Sequence, residues 1–352
     1  MPRTVTTGPL RHRLASWRVM IGCSFASIFA RMAGRPINPA WPLDFEIGVR
    51  FWRRQFTRAL NARDMAEGRV IFDSLQTYTD ETYAVRRNPV SAAGIKGEWI
   101  EPTKVKTDAT LLYLHGGGYS LYGAVSKTFA ETLSHHLGAR LFALDYRMTP
   151  EHPHPAQRDD ALAAVRWLYD EGVAPEKLVL IGDSAGGHLT LMTLIALRDA
   201  GLPQPALAVG LCPWTDIGDR GESLHGNDRY DLVQGWMALR FGEWLQGDTG
   251  ATRAALSPIH QDYADLAPIY LQAGGREILR DMIRDFAAKL EREGGHVTLD
   301  VWPEMTHVFQ AHGRTRPESA EALERIATAI AFRVDGEGDD LGEIAATGIR
   351  SR

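Results

Sequence analysis

The chain has 352 residues, of which 44% are hydrophobic and 24% are charged. This composition excludes a fibrous or intrinsically disordered protein and is typical of a soluble globular enzyme with one large core or two modest ones. The two cysteines, Cys23 and Cys212, fit neither a CxxC pair nor a zinc-site spacing. We therefore expect no disulfide framework and no structural metal.

Positive charge is concentrated at the N-terminus. Residues 1–63 contain eleven basic and two acidic residues, a balance of +9, whereas the net charge of the whole chain is -5. Residues 64–352 therefore carry -14, and docking of the basic segment onto this acidic body is the simplest expectation. Contact with an anionic membrane surface is the alternative. No motif accompanies the charge that would indicate nucleic-acid binding.

The first predicted element is an amphipathic helix. Apolar side chains recur at steps of three and four residues, at Leu14, Trp17, Ile21, Phe25, Ile28 and Met32. Because Arg11, Arg13 and Arg18 precede the apolar residues 19–30, a signal peptide is the competing interpretation. At about 12 residues this run is shorter than the ~20 needed to span a bilayer. We therefore expect a cap helix in a cytoplasmic protein, with export or membrane association as the alternative.

A second amphipathic helix is predicted after the proline-rich residues 36–42. Its apolar positions are Phe45, Val49, Trp52, Phe56 and Leu60. Neither helix has a partner of its own that would bury its stripe, so we expect both to lie against the main domain. Residues 1–63 are therefore predicted to be cap helices.

Eight short apolar or β-branched runs alternate with helical segments along the rest of the chain. They lie at residues 82–85, 97–100, 110–114, 141–145, 178–181, 207–211, 269–272 and 297–301. The later runs are uninterrupted, as in a parallel sheet covered by helices on both faces. We predict an α/β catalytic domain at residues 64–334 with an eight-stranded, mostly parallel sheet. Residues 216–263 are predicted to be an insertion that joins the cap, and residues 335–352 a mobile tail.

A GxSxG motif marks the candidate nucleophile. Ser184 lies in the sequence GDSAGG at residues 182–187, between a predicted strand and a predicted helix. Such a turn exposes the serine hydroxyl, and its glycines let the backbone approach closely. The motif alone is a weak signal in a chain with 34 glycines. The other strand ends therefore matter, because reactive groups gather at the carboxyl edge of a parallel sheet.

An HGGG sequence at residues 115–118 follows the predicted strand at 110–114. Backbone N–H groups of such a loop can reach a developing oxyanion without steric obstruction. We predict that Gly116, Gly117 and the amide of Ala185 form an oxyanion hole. The residues that support the two motifs are His115, Gly118 and Asp183.

A serine hydroxyl needs a base to take its proton, and the base needs an acid that fixes its tautomer. His307 follows the last predicted strand and is the candidate base, with His312 as the alternative. Glu277 lies in the loop after the strand at 269–272 and is the preferred acid. Asp281 is the alternative acid, although it already lies one turn into the next predicted helix.

These motifs resemble those of a known family. HGGG at residues 115–118, DYRMTPE at 145–151 and GDSAGG at 182–187 are similar to the hormone-sensitive-lipase family of α/β-hydrolase carboxylesterases. Residues 94–99 resemble members described as acetyl-hydrolases, and the resemblance spans roughly residues 80–330. It implies an α/β-hydrolase fold, no cofactor, and a cap built from the N-terminus and an insertion after the sixth strand.

The resemblance also implies a reaction. A serine esterase would hydrolyse small-molecule esters with short to medium acyl chains, using the triad order Ser184, Glu277, His307, with Glu277 where the family usually has aspartate. An N-acetyl amide deacetylase with the same triad is the alternative, and a non-catalytic ligand-binding protein on the same fold is more remote. Because relatives are often dimers, a homodimer is a further expectation.

Overall fold

The structure is built on one large β-sheet and one small antiparallel pair. The computed structural model describes residues 3–78 and 85–337. The small pair joins β1 (Arg3–Val5) to β2 (Gln76–Tyr78). The large sheet contains β3 (Val85–Ala92), β4 (Ile95–Pro102), β5 (Thr110–Leu114), β6 (Arg140–Leu144), β7 (Leu178–Asp183), β8 (Leu207–Leu211), β9 (Ile269–Gly274) and β10 (Val297–Trp302).

The eight strands of the large sheet run in the order β10-β9-β8-β7-β5-β6-β4-β3. The pairs from β10 to β6 are parallel, whereas β4 pairs antiparallel with both β6 and β3. The predicted eight-stranded, mostly parallel sheet is therefore confirmed.

One strand of the large sheet lies at a different position in the sequence from the one predicted. Most of residues 82–85 lie outside the described residues, and the edge strand runs from Val85 to Ala92 instead. Most of its side chains are exposed and it contains Pro89, which an edge strand tolerates because one side of its backbone needs no partner. The sequence of this strand therefore lacks the apolar pattern that revealed the others.

Helices cover both faces of the large sheet. The α-helices of the described residues are α1 (Leu10–Met32), α2 (Leu43–Leu60), α3 (Met65–Asp73), α4 (Ala124–Leu137), α5 (Ala156–Asp170), α6 (Ala185–Asp199), α7 (Ser223–Gly226), α8 (Gly235–Gln246), α9 (Arg280–Arg292) and α10 (Pro317–Ile330), of which α4, α5, α6, α9 and α10 pack on the faces. Successive strand side chains point to opposite faces: Leu112 and Leu180 join a core cluster with α5, α6 and α9. Leu111 and Val179 join a second cluster with α4 and α10. The central strands are buried on both sides, which explains their uninterrupted apolar sequences.

The two predicted N-terminal helices are present, but only one uses its apolar stripe as expected. In α2, Phe45, Val49 and Phe56 are buried. In α1 the predicted stripe is exposed along its whole length: Leu14 49%, Trp17 41%, Ile21 52%, Phe25 57%, Ile28 39% and Met32 78%. The expectation that this stripe lies against the main domain is wrong.

The opposite face of α1 explains this arrangement. Its buried residues are His12, Ser16, Cys23 and Ser27, whose small or polar side chains allow close contact with α2 and α3. Ser16 Oγ accepts hydrogen bonds from Gln55 Nε2 (2.9 Å) and Arg58 (2.8 Å) and lies 2.7 Å from Ser74 Oγ. Hydrogen bonds, together with the packing of Cys23 against Phe51 and Leu75, therefore fix the orientation of this helix.

The predicted insertion lies between β8 and β9. It contains α7 and α8, and within α8 Phe241 and Leu245 are buried while Trp236 and Trp244 are partly buried. At the C-terminus, α10 continues into a π-helical turn, Ala331–Asp335, and residues 338–352 of the predicted tail lie outside the described residues. Within the described part of the chain, no helix combines the length and apolar character needed to cross a membrane.

Candidate active site

Ser184 lies at the sharp turn between β7 and α6. Its backbone has a φ of 55°, which is strained for a residue with a side chain. The Ser184 N–H donates to the Leu211 carbonyl (2.9 Å), and its carbonyl accepts from the Trp214 N–H (3.1 Å). A Cβ at Gly186 would lie 1.9 Å from the Leu114 carbonyl oxygen, so the close contact with β5 requires glycine there. The turn presents a half-buried hydroxyl at the carboxyl edge of the sheet.

His307 and Glu277 continue a line of hydrogen bonds from this hydroxyl. Nε2 of His307 lies 2.8 Å from Oγ of Ser184, and Nδ1 lies 2.7 Å from Oε2 of Glu277. Oε1 of Glu277 accepts the Gly274 N–H at 2.7 Å, which fixes the carboxyl group. Because His307 follows β10 and Glu277 follows β9, neighbouring parallel strands bring both side chains to one edge.

The electrostatic environment favours a charged imidazole. Glu277 is fully buried and His307 is 3% exposed. Burial lowers the pKa of His307. The hydrogen bond and negative charge of Glu277, together with the charges of Asp231 and Asp183, outweigh this effect, so the pKa lies above its ordinary value. This arrangement stabilises the imidazolium that forms when a base takes the serine proton.

The two alternative residues lie elsewhere. Asp281 is in the first turn of α9, where its carboxylate accepts the Ser223 N–H (2.8 Å) and pairs with Arg280 (2.8 Å). His312 lines the same cavity as Ser184, but its ring centre lies 5.1 Å from that of Phe45. Burial lowers the pKa of His312 to about 4. The imidazole that the structure brings to Ser184 is that of His307.

The glycine loop differs from the prediction in one donor. The Gly116 N–H donates to Oδ1 of Asp183 at 3.0 Å, so the expectation that it contributes to an oxyanion hole is wrong. Gly117 and Gly118 have positive φ angles of 98° and 61° and line the cavity beside Ser184. Their N–H groups have no hydrogen-bond acceptor within residues 3–78 and 85–337. Gly118, predicted only as motif support, therefore has an N–H at the cavity that is free within the described residues, whereas that of Gly116 is occupied.

Buried side chains hold this loop in place. Asp183 Oδ1 also accepts the Tyr113 hydroxyl at 2.6 Å, and burial raises the pKa of Asp183. The His115 ring is stacked between the rings of Tyr122 and Tyr146, with centroid distances of 3.8 and 4.0 Å. Burial lowers the pKa of His115 to about 3, so this ring is a neutral support at ordinary pH.

A cavity of about 510 Å³ lies over Ser184 and His307. Its volume is that of a site for a small organic ligand. Apolar side chains from α2, from the insertion and from the strand-end loops form most of its wall, among them Phe45, Val49, Trp52, Leu121, Trp214, Val233 and Phe241. The N-terminal helices and the insertion thus cover the reactive edge of the sheet.

Comparison with known proteins agrees with this geometry. Residues 111–311 match the family model described as the alpha/beta hydrolase fold. An acetyl-hydrolase of Streptomyces hygroscopicus is 35% identical over 272 residues, which cover 77% of this chain and 90% of that protein. The chain belongs to the α/β-hydrolase family.

Solved structures of other α/β-hydrolases extend this similarity. A crystal structure of a mutant esterase has a TM-score of 0.76 and 31% identity, covering 84% of this chain and 99% of that one. An esterase from the bacterial hormone-sensitive lipase family has a TM-score of 0.69 and 28% identity, covering 93% and 100%. The predicted resemblance to hormone-sensitive-lipase-family esterases is confirmed.

In this α/β-hydrolase, one buried carboxyl group at the site was not predicted. Asp231, from the insertion, accepts the N–H groups of Ile278 (2.7 Å) and His307 (3.3 Å). Burial raises its pKa to about 6. Asp231 therefore connects the loop that contains Glu277 to the loop that contains His307. Asp231 is separated from His307 by 76 residues, and no local motif marks it.

A second unpredicted contact joins the N-terminal segment to the histidine loop. Glu304 accepts a hydrogen bond from Asn38 Nδ2 at 2.6 Å and pairs with Arg276 at 3.1 Å. The indole N–H of Trp41 donates to the Glu304 carbonyl at 2.6 Å. The segment between α1 and α2 is therefore attached three residues before His307.

One group of potential metal ligands occurs among the described residues. The ligand atoms of Cys212, Glu277 and His307 lie within 4.8 Å of one another. Glu277 and His307 are already hydrogen-bonded to each other, and burial raises the pKa of Cys212 well above its ordinary value, which keeps the thiol protonated. Because metal ligation needs a thiolate and an available imidazole nitrogen, these groups fit a proton relay better than a metal site.

Proposed function

We propose that this protein is a serine carboxylesterase that hydrolyses small-molecule esters with short to medium acyl chains. The observation that carries the proposal is the unbroken line from Ser184 Oγ through His307 to Glu277, with contacts of 2.8 and 2.7 Å. The names of its relatives, acetyl-hydrolase and esterase, support the reaction class.

The proposed first half-reaction forms an acyl-enzyme. Ser184 Oγ attacks the carbonyl carbon while its proton passes to Nε2 of His307. Glu277 keeps Nδ1 protonated and stabilises the imidazolium. The N–H groups of Gly117, Gly118 and Ala185 donate to the oxygen that becomes negative. When the tetrahedral intermediate collapses, the C–O bond breaks and His307 gives its proton to the leaving alcohol.

The second half-reaction repeats these steps with water. Water attacks the acyl carbon as His307 takes one of its protons, and the bond to Ser184 then breaks. His307 returns the proton to Oγ, and the carboxylic acid leaves. The apolar wall of the cavity suits an acyl chain, because moving the apolar surface of the chain out of water is favourable.

A fluorophosphonate probe tests the nucleophile directly. We expect the probe to label wild-type protein covalently and to leave Ser184→Ala unlabelled, with Ser91→Ala, on the exposed edge strand, labelled like wild type. Equal labelling of Ser184→Ala and wild type would reject the proposal.

The acyl specificity is tested with p-nitrophenyl esters of graded chain length and with a matched N-acetyl anilide. We expect short esters to give the highest kcat/KM and the anilide to react far more slowly. A preference for the anilide would favour the amide deacetylase, and a steady rise in turnover toward long chains would contradict the predicted chain length.

Two further features stay predictions. A cytoplasmic location is tested by fractionating cells that express the full chain, and a homodimer by light scattering coupled to size-exclusion chromatography. Recovery in a membrane or extracellular fraction, or a monomeric mass at every concentration, would contradict them.

A further inference from the structure

The outer face of α1 is an apolar surface that the protein itself does not cover. Its members, here named the α1 stripe, are Leu10, Leu14, Trp17, Ile21, Phe25, Ile28, Phe29 and Met32, all at least 39% exposed. They follow the helical repeat, so they form one continuous face. A helix on a globular protein usually turns such a face inward. A contiguous apolar patch left outside marks a site of interaction.

The exposure of the α1 stripe is fixed by the other side of the helix. Ser16 is fully buried and hydrogen-bonded to Gln55 and Arg58 of α2. Cys23 is 1% exposed and packs in a cluster with Phe51 and Leu75. Rotating α1 to bury its stripe would break these contacts and leave their polar groups without partners. The outward orientation is therefore part of the fold.

The charges around the stripe indicate what covers it. Residues 1–43 contain six arginines and no acidic residue. Arg18 and Arg35 are exposed and form no ion pair with any other described residue. An apolar helical face bordered by arginines suits the boundary between lipid headgroups and acyl chains of an anionic membrane. Two copies packed through this face would instead bring their arginines together, which is unfavourable.

We propose that α1 lies flat on an anionic lipid surface, with the α1 stripe inserted at the acyl-chain boundary and Arg18 and Arg35 near lipid phosphates. The helix would bind the surface without crossing it. Met20, on the inner side of α1, lines the cavity over Ser184, so this one helix would separate the lipid surface from the site. The proposal goes beyond the proposed esterase activity and does not depend on it.

Sedimentation with vesicles tests this proposal on the full chain. We expect wild-type protein to bind vesicles of phosphatidylcholine mixed with phosphatidylglycerol, and to bind pure phosphatidylcholine more weakly. Ile21→Gln/Phe25→Gln removes two exposed apolar side chains and should weaken binding about tenfold or more. Val105→Gln is the control: it removes an apolar side chain that is 66% exposed but lies outside α1, and it should leave binding unchanged.

Charge reversal gives an independent measurement. Arg18→Glu/Arg35→Glu should abolish the preference for anionic vesicles, and added salt should weaken wild-type binding, because exposed charges are screened. Ser184→Ala should bind like wild type, which separates this result from the test of the esterase activity. Unchanged binding of the Ile21→Gln/Phe25→Gln variant would overturn the proposal. The proposal would also be overturned if wild-type protein formed a dimer that does not bind vesicles and the variant were monomeric, since a second copy would then cover the α1 stripe.

Discussion

The floor and the roof of the cavity are built in different ways. On the floor, Ser184, Glu277 and His307 each follow a parallel strand of the large sheet, so the position of the strand nearly determines that of the side chain. The roof consists of the N-terminal helices and the insertion, which reach the site through contacts between distant parts of the chain. Changes to the floor should therefore affect chemistry, and changes to the roof should mainly affect alignment and stability.

The largest effect is expected on the floor, from Glu277→Gln. The amide cannot stabilise the imidazolium or hold Nδ1 protonated, so kcat should fall about 10⁴-fold. Asp281→Asn is the matched control, because Asp281 is bonded to Ser223 and Arg280 rather than to His307. Steady-state kinetics with p-nitrophenyl acetate measure both. A larger loss in Asp281→Asn than in Glu277→Gln would contradict the assignment of the acid.

The same variant has a predictable pH profile. The proposed mechanism needs neutral His307, and the pKa of this residue is raised from 6.5, so wild-type kcat/KM should fall as the pH drops through a value above 6.5. Without the charge of Glu277, the lowering effect of burial remains and the acidic limb should move to lower pH. If the acidic limb of the Glu277→Gln profile lies at the same pH as that of wild type, Glu277 does not set the pKa of His307.

The next effect concerns the glycine loop. Asp183→Ala removes the acceptor of the Gly116 N–H and the Tyr113 hydroxyl, so the loop should lose its alignment and kcat should fall about 10² to 10³-fold. Asp183→Asn keeps an acceptor oxygen at the same place and should retain most of the activity. Equal losses in the two variants would show that charge, rather than the hydrogen bond to Gly116, matters.

A smaller effect is expected from the roof residue Asp231. Asp231→Asn retains one acceptor but loses the other and the negative charge, so kcat should fall about tenfold through misalignment of His307. Because that charge helps raise the pKa of His307, the acidic limb should also move slightly to lower pH. Asp248→Asn, an exposed change in the same insertion, is the control. A stable Asp231→Asn variant with an unchanged profile would argue against this role.

The smallest effect is expected where the roof is attached. Glu304→Gln weakens the contacts to Asn38 and Arg276, and because its side chain is 39% exposed, the free energy of unfolding should fall by at most about 1 kcal/mol. Denaturant titration measures this, with the exposed Glu324→Gln as control. A loss several times larger would mean that the roof depends on this contact far more than its exposure indicates.

The contrast between floor and roof also explains what the sequence could predict. The proximity of Ser184, Glu277 and His307 could be predicted because each follows an apolar run. That the Gly116 N–H is occupied could not be predicted, since this depends on where the Asp183 carboxylate points across the turn. Asp231 approaches Ile278 and His307 only after the insertion has folded down.

The helices of the roof show the same limit. Periodicity predicted both α1 and α2, but it reports only that a helix has an apolar face, not what covers it. The buried stripe of α2 and the exposed stripe of α1 have the same spacing. The helix α3 did carry a local signal, because Asp64 accepts the Glu67 N–H at 2.8 Å as an N-cap, a pattern that is readable as Asp-x-x-Glu.

The hydrogen bond from Trp41 to the Glu304 carbonyl joins the segment that precedes α2 to the loop that carries His307. Trp41 is only 2% exposed, so lifting the segment that precedes α2 would expose an indole and pull on the backbone next to the histidine. Removing this segment should therefore loosen the loop that positions His307. Engineering for bulkier esters should widen the walls of the cavity and leave the contact between Trp41 and Glu304 intact.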